Sequence, residues 1–344
     1  MTVATDEPRL GIVLVNWRRP DDTIECLESV LRGTIPVRVV VVDNASGDGS
    51  LDRIAGWAAG AGEAVAASPA MAGHVTPPIA KPVAVQRLTA AEAVVTPPTG
   101  RLTLIDAGRN GGFAAGNNIG LAHLLLGPGI DYIWLLNNDT VIEADAAAAL
   151  VAHLDAGGAG MCGTVVRYYW HPDRVQALGG HRFNKWTGTS IGIGANQPAS
   201  QAFDPAQVTA QTDFVLGASL AVSRDFLRTV GPMEEGYFLY FEEADWAARN
   251  AALGARRLPL GFADKAVVFH KEGGSIGSSS LPGQQSRMSD YWLNRSRLAY
   301  TRRFNPLLLP LHWLLTIGMA GRRVLRRQPA KSIAVMRALF GLGY

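Results

Sequence analysis

The chain lacks most of the features that place a protein quickly. It has two cysteines in 344 residues, Cys26 and Cys162, far apart and outside any metal-type spacing. That excludes a disulfide scaffold or a zinc cluster and fits a reducing, cytoplasmic setting. The net charge is +3, too small a surplus to argue for nucleic acid as a partner. With 48% hydrophobic and 18% charged residues, a disordered or fibrous chain is excluded as well. No run reaches about 18 apolar residues, so a full membrane span is not expected. The opening MTVATDEPRL has no basic stretch leading into an apolar one, so no signal peptide is expected. No G-x-x-x-x-G-K-S/T occurs, and the glycine-rich strand-to-helix turn RNGGFAAGNNIG is not spaced G-x-G-x-x-G. P-loop hydrolases and dinucleotide-dependent enzymes lose their support on that ground.

What is present is alternation. RLGIVLVNW and VRVVVVDNAS are short apolar runs that end in polar residues. Between them Ile24, Leu27, Val30 and Leu31 fall at helical spacing. LTLIDAGRN, then GGFAAGNNIGLAHLLL, then DYIWLLNND, then EADAAAALVAHLDA repeat the strand–helix pattern. Continuous apolar strands separated by helices predict a doubly wound α/β domain, with ligands at the carboxyl ends of the strands. From about 62 to 100 the chain turns rich in Ala, Pro and Val, and reads as a surface insertion, mobile or partly ordered through its prolines. Residues 171–213 read as polar and loop-rich, and residues up to His270 as a last pair of strands.

The polar clusters fall at the strand ends: Asn16, Asp43 to Ser46, Asn110, and Asn137 to Asp139. Asn137 and Asp139, two apart, offer oxygen ligands that suit a hard divalent cation; both types also simply close strands in turns. Asp43 fits a ribose- or base-binding carboxylate, or an Asx-turn. Glycines at the RNGGFAAGNNIG turn let a ligand approach backbone, and helix N-termini attract phosphate. In FEEADW, Glu242 and Asp245 share a helix face while Glu243 points elsewhere. Such carboxylates among aromatics suit a general base, or merely complement the helix dipole. His270, ending AVVFH, reads as a ligand or as a strand terminus.

Taken in order, VNWRRPDDTIECLESVL, VVVVDNASGDGS, NGGFAAGNNIG, LLNNDT, LGASLAVSRDFLRTVGPMEEGYFLYFEEADW and VFHKEGGS resemble the family 2 glycosyltransferases. The similarity is greatest to the bacterial rhamnosyltransferase-like branch, which builds cell-surface polysaccharide. It covers roughly residues 9–300, with the proline-rich stretch unmatched. The resemblance implies a GT-A fold, a mixed but mainly parallel sheet flanked by helices. The catalytic domain would run over 1–276, with a nucleotide-sugar half at about 9–155 and an acceptor half at about 156–276. A helical extension would occupy 277–344. It further implies an inverting transfer of a sugar, dTDP-rhamnose being one candidate donor, to a glycan or lipid-linked acceptor. Asn137, Asp139 and His270 would hold Mg2+ or Mn2+. Asn16, Asp43, Asn110, Gly112, Asn117 and Asn138 would line the nucleotide-sugar site. Glu243 stands where the family has the aspartate of a Glu-Asp pair, the catalytic base, so the extra methylene is a departure; Glu242 and Asp245 are the fallback candidates.

Two competing readings remain at this level. A nucleotidyltransferase would need a basic glycine-rich loop near the N-terminus, and VNWRRPDDT has no glycine. A non-catalytic glycan- or nucleotide-binding homologue is the other. Near the C-terminus, residues 306–327 pair an apolar stretch with a basic tail. They are expected either to lie on the inner face of the cell membrane as an interfacial helix or to pack on protein.

Overall fold

The computed structural model describes residues 7–272 and 286–344. Most of the opening stretch, the glycines that follow His270 and the boundary expected at 276 lie outside the described residues. Thirteen strands are described: β1 (Leu10–Asn16), β2 (Val37–Asp43), β3 (Val85–Thr89), β4 (Leu102–Asp106), β5 (Tyr132–Asn137), β6 (Thr140–Ile142), β7 (Met161–Tyr168), β8 (Val175–Leu178), β9 (Gly180–Asn184), β10 (Thr189–Gly192), β11 (Phe214–Val215), β12 (Ser219–Ser223) and β13 (Leu260–His270). The main sheet runs β3-β4-β2-β1-β5-β12-β7-β13-β6, with β8 paired to β7, while β9, β10 and β11 form a small second sheet. The first five strands of that order are mutually parallel, and β7 and β13 are parallel to each other. Only β12, β6 and β8 run against a neighbour. This is the mainly parallel α/β sheet expected.

Period-two geometry explains why the strands read as unbroken apolar runs. Ile12 and Leu14 of β1, Val39 and Val41 of β2, and Trp134 and Leu136 of β5 face one core, shared with Leu27, Val30, Trp57 and Leu150 from helices. The alternate residues Val13, Val40, Val42, Ile133 and Leu135 face a second core, closed by Leu121, Leu124, Phe226 and Trp246. Helices thus cover both faces. One is Pro20–Leu31, started by a proline and two acidic residues in its first turn. The glycine-rich helix Gly112–Leu126 packs on the other face.

Two expectations are corrected. The segment 62–100 is ordered beyond its proline-rich parts: β3 pairs residue by residue with β4 and extends the main sheet at its edge. Its Met71, Val75 and Ala93 are buried. The segment is tied down by two carboxylates buried on the first helix: Glu28 accepts hydrogen bonds from Trp57 Nε1 at 3.1 Å and from the Ile79 backbone, and Glu25 accepts from the Ala67 backbone at 3.4 Å. Residues 171–213 are rich in loop, and between the loops they hold β8, β9, β10 and the helix Pro205–Gln211. Finally, the last pair of strands is one strand, β13, whose register with β7 shifts between Ala263 and Val267. Three helices, Arg287–Phe304, Leu309–Leu325 and Pro329–Leu339, form the C-terminal extension.

Candidate active site

β5 ends at Asn137, and after Asn138 and Asp139 the chain re-enters the sheet as β6, which pairs antiparallel with the end of β13, Thr140 opposite His270. That register is why residues far apart in sequence meet. Asp139 Oδ1 lies 3.2 Å from His270 Nε2. Asn137 Nδ2 lies 3.2 Å from the same nitrogen. On the other side of the ring, His270 Nδ1 is 2.9 Å from Gln176 Oε1, an oxygen that can only accept. Nδ1 therefore carries the proton, and Nε2 presents a lone pair toward Asp139. Two buried acceptors facing each other call for a positive charge between them, either a second proton on the ring or a bound cation. Burial alone would lower the His270 pKa, but the Asp139 carboxylate overrides it and raises it. Burial would likewise raise Asp139, and the imidazole pulls it below its ordinary value.

Among the described residues no three His, Cys, Asp or Glu side chains converge as a complete metal cage. The donor set here is one carboxylate, one imidazole with an oriented ring, and one amide. It fits an ion that takes the rest of its sphere from water and phosphate oxygens, as Mg2+ and Mn2+ do, and does not fit a closed structural site.

Beside this lies a second polar network. Asn16, fully buried at the end of β1, donates to Asp43 Oδ1 at 2.6 Å and to Ser46 Oγ at 3.2 Å. Ser46 gives its backbone N–H to Asp43 Oδ2 at 2.9 Å and its hydroxyl to Oδ1 at 2.6 Å. Thr23 donates to Asn16 Oδ1 at 2.8 Å, and Asn138 donates to Thr23 Oγ1 at 2.9 Å. Asn16, Asp43 and Asn138 are therefore brought together. Most of their bonding is internal, however: they shape the rim rather than stand open on it, and Asp43 holds the turn after its strand through the N–H three residues on, one farther than in an Asx-turn.

The glycine-rich segment sits against the loop that precedes the acidic helix Glu242–Ala251. Gly112 has φ +87°, and a Cβ there would fall 2.2 Å from the Phe238 carbonyl oxygen. The Phe113 N–H donates to that same oxygen at 2.9 Å. Asn44 Nδ2 donates to the Gly112 carbonyl at 2.9 Å, and Asn44 Oδ1 is buried with no partner. Asn110 is exposed and bonds the Gly112 N–H at 3.0 Å; Asn117 is buried and bonds back to the Phe113 carbonyl at 2.9 Å. Asn117 thus serves its own helix. Asn44, bonded to the buried backbone of Gly112, is the polar group here that has an atom without a partner.

In YFLYF three aromatic residues, Phe238, Tyr240 and Phe241, hold left-handed backbone at φ +52°, +67° and +74°. Such conformations cost on the order of 1 kcal/mol or more each and persist where surrounding contacts impose them. They aim the first turn of the acidic helix. Glu243 Oε1 occupies the space over Gly217, where a Cβ would lie 1.7 Å away. The next residue, Ala218, accepts the Asn137 N–H at 3.0 Å. Glu243 and the Asn137–Asp139 turn are therefore neighbours through two residues of the chain entering β12. Burial pushes Glu243 up to about 7. Glu242 is buried, one of its oxygens unpartnered, and burial together with Glu243 raises it well above the carboxylate range.

Asp245 is otherwise disposed. It is fully buried and accepts from Tyr237 Oη at 3.0 Å, Arg249 Nε at 2.7 Å and Arg303 Nη1 at 2.9 Å. With its oxygens engaged, it anchors the helix to the C-terminal extension. Three participants escaped sequence reasoning: Gln176, in a region read as loop; Asn44, overshadowed by Asp43; and Gly217, whose glycine leaves room for Glu243. A cleft of about 650 Å³ lies to one side of the acidic helix, between Ala244, Ala247 and Ala248 and the rings of Phe183, Trp186 and Tyr300, and its lining includes neither Asp139 nor Glu243.

No family model and no curated protein matches this sequence. Solved structures do. The mannosyltransferase PcManGT from Pyrobaculum calidifontis, in complex with GDP-Man and Mn2+, superposes over 98% of this chain and 88% of its own, with a TM-score of 0.51 at 15% identity. The likeness is one of fold. S. aureus TarS aligns over 96% of this chain and 81% of its own, with a TM-score of 0.47 at 12% identity. The large, mostly parallel sheet flanked by helices and followed by C-terminal helices is thus an architecture shared with a known sugar transferase.

Proposed function

We propose that this chain is an inverting glycosyltransferase that moves a sugar from a nucleotide-diphosphate donor to an acceptor hydroxyl. What supports the reading most is the Asp139–His270 pair beyond the end of β5, together with the Glu243 carboxylate lying over Gly217, next in the chain to the residue that accepts the Asn137 N–H. The motif resemblance to family 2 enzymes and the fold shared with a transferase holding GDP-Man and Mn2+ support it.

Asp139, His270 and Asn137 would hold Mg2+ or Mn2+, which when bound neutralises charge on a leaving diphosphate. The chain's own residues do the rest. Asn44, with its unpartnered Oδ1, and the turn that Gly112 packs against the Phe238 backbone would border the donor. Glu243 takes the proton of the acceptor hydroxyl as its oxygen bonds to the anomeric carbon; the carbon–oxygen bond to the diphosphate breaks, and the nucleoside diphosphate leaves. A base near pH 7 is matched to that task, and Glu243 has the required proton affinity. Its longer side chain is accommodated because residue 217 is glycine. The work would take place in the cytoplasm, where nucleotide sugars are made, in building cell-surface polysaccharide or glycolipid.

The test is a panel of nucleotide sugars, dTDP-rhamnose first, incubated with Mn2+ and scored for nucleoside diphosphate release. Release of nucleoside diphosphate that depends on Asp139 is the expected result. Asp139→Ala should raise the barrier by on the order of 3 kcal/mol, roughly a hundredfold in rate. Pyrophosphate release from a nucleoside triphosphate would make the chain a nucleotidyltransferase, and donor binding without release would make it a binding protein.

A further inference from the structure

The helix Leu309–Leu325 is packed inside out. Its buried positions are His312, Thr316 and Ala320, spaced four apart, and the first two are polar. His312 Nδ1 is 2.9 Å from Thr301 Oγ1 and its Nε2 is 3.0 Å from the Lys185 carbonyl. Thr316 Oγ1 accepts from Arg297 Nη2 at 2.6 Å, and Arg323, partly buried, donates to Asp290 Oδ1 at 2.6 Å. Arg297 is itself buried, pushed down to about 10 by desolvation, with Asn294, Thr316 and the Met319 sulfur as its partners. Helices on globular proteins turn the apolar stripe inward and the polar one outward. Here hydrogen bonds fill the seam, and the apolar residues face out.

The outward face is continuous. Leu311, Leu314, Ile317, Val324 and Leu325 fall within one half-turn of the helical wheel, with Leu314 68% and Leu325 86% exposed. Leu307, in the turn before the helix, is 94% exposed, and the partly exposed Trp313 flanks the apolar face. A patch of this kind is not left to water without a reason. Charge indicates what covers it. From residue 291 to the end the sequence has ten Lys and Arg and no Asp or Glu, although the whole chain carries only +3. Arg322, Arg326 and Arg327 are exposed at the end of the apolar face. An apolar strip edged by arginines, with an indole at its flank, complements a bilayer surface of anionic headgroups over acyl chains. Crossing is not the mode, since no helix among the described residues is long and apolar enough to span a membrane. Lying flat, 17 residues cover about 25 Å of surface.

We infer that the outer face of Leu309–Leu325 docks the protein on an anionic lipid bilayer, apolar side chains among the acyl chains and Arg322, Arg326 and Arg327 among the headgroups. The inference stands on the packing of this helix and is independent of whether the chain transfers sugar. The experiment uses the full chain and sedimentable vesicles, either phosphatidylcholine alone or phosphatidylcholine with phosphatidylglycerol. The protein should pellet with the mixed vesicles and on the order of tenfold less with the neutral ones. Leu314→Asp with Ile317→Asp, both at exposed positions, should abolish pelleting while the melting temperature is kept. Arg322→Glu with Arg326→Glu should remove the preference for the anionic vesicles. A wild-type chain that stays in the supernatant with both vesicles overturns the inference, as does undiminished pelleting of the leucine–isoleucine variant. So does a wild-type dimer that this variant turns into monomer with no change in pelleting, because the face would then belong to a second copy.

Discussion

At the scale of single residues, three carboxylates within four positions of one helix have three different fates, and environment alone separates them. Asp245 is surrounded by donors, Glu242 is buried with an oxygen unpartnered, and Glu243 is held near neutrality by burial. The sequence FEEADW marks the cluster but not the division, because the deciding groups, Arg303 and Gly217, lie elsewhere in the chain. Glu243 titrating at about 7 places the acid limb of the kcat/KM profile there, with activity falling as pH drops below it. The same shift affects stability. A carboxyl with a raised folded pKa binds its proton more tightly folded than unfolded, so stability declines as pH rises from the ordinary 4.5 to about 7, then levels off. Glu243→Gln should therefore abolish turnover, leave donor affinity nearly intact, and melt above the wild type at pH 8 but level with it at pH 4. Unchanged turnover in this variant would remove Glu243 from the base role. Gln176 acts through His270. Gln176→Ala frees the ring and should weaken Mn2+ binding, followed by electron paramagnetic resonance, by about 10- to 100-fold.

At the scale of elements, what could be read from the sequence was whatever obeys a period. β1, β2, β4 and β5 are apolar at most positions because both faces are buried, and their polar ends marked the candidate edge. The three-residue β6 is too short to have a period, yet its register against β13 joins Asp139 to His270. β3 was missed for a different reason: an edge strand needs little apolar side chain, and VQRLT shows little. Close backbone contacts are equally silent in sequence. The approach of Gly112 to Phe238 is one of these, and Gly112→Ala would put a methyl group 2.2 Å from a carbonyl oxygen in a left-handed conformation. A loss of about 2 kcal/mol or more is expected in urea unfolding. A variant as stable as the wild type would show that the segment can shift away from the aromatic loop.

At the scale of the whole molecule, the proline-rich segment is part of the fold, held by Glu25 and Glu28 from inside the first helix and by β3 at the sheet edge. Composition suggested otherwise because prolines interrupt every local pattern, whereas what orders this stretch comes from distant residues. The Ile79 backbone N–H, bonded to Glu28 beneath Lys81, which lies 3.3 Å over the Trp57 ring and 3.5 Å from Glu28, should accordingly exchange slowly with deuterium in the native protein. Glu28→Ala should speed that exchange, as mass spectrometry of peptic fragments would show.

The reversed direction of β12 has its own consequence. Its parallel neighbours deliver their chain ends to the reactive rim as exits, whereas β12 is entered from that rim, through the residues that make room for Glu243 and receive Asn137. Under the proposed transfer, insertions or deletions in the connection leading into β12 would reshape the wall facing the acceptor hydroxyl while every exit kept its place. One half of that specificity would then drift independently of the other, and a designer seeking a new receiving molecule would start upstream of residue 217.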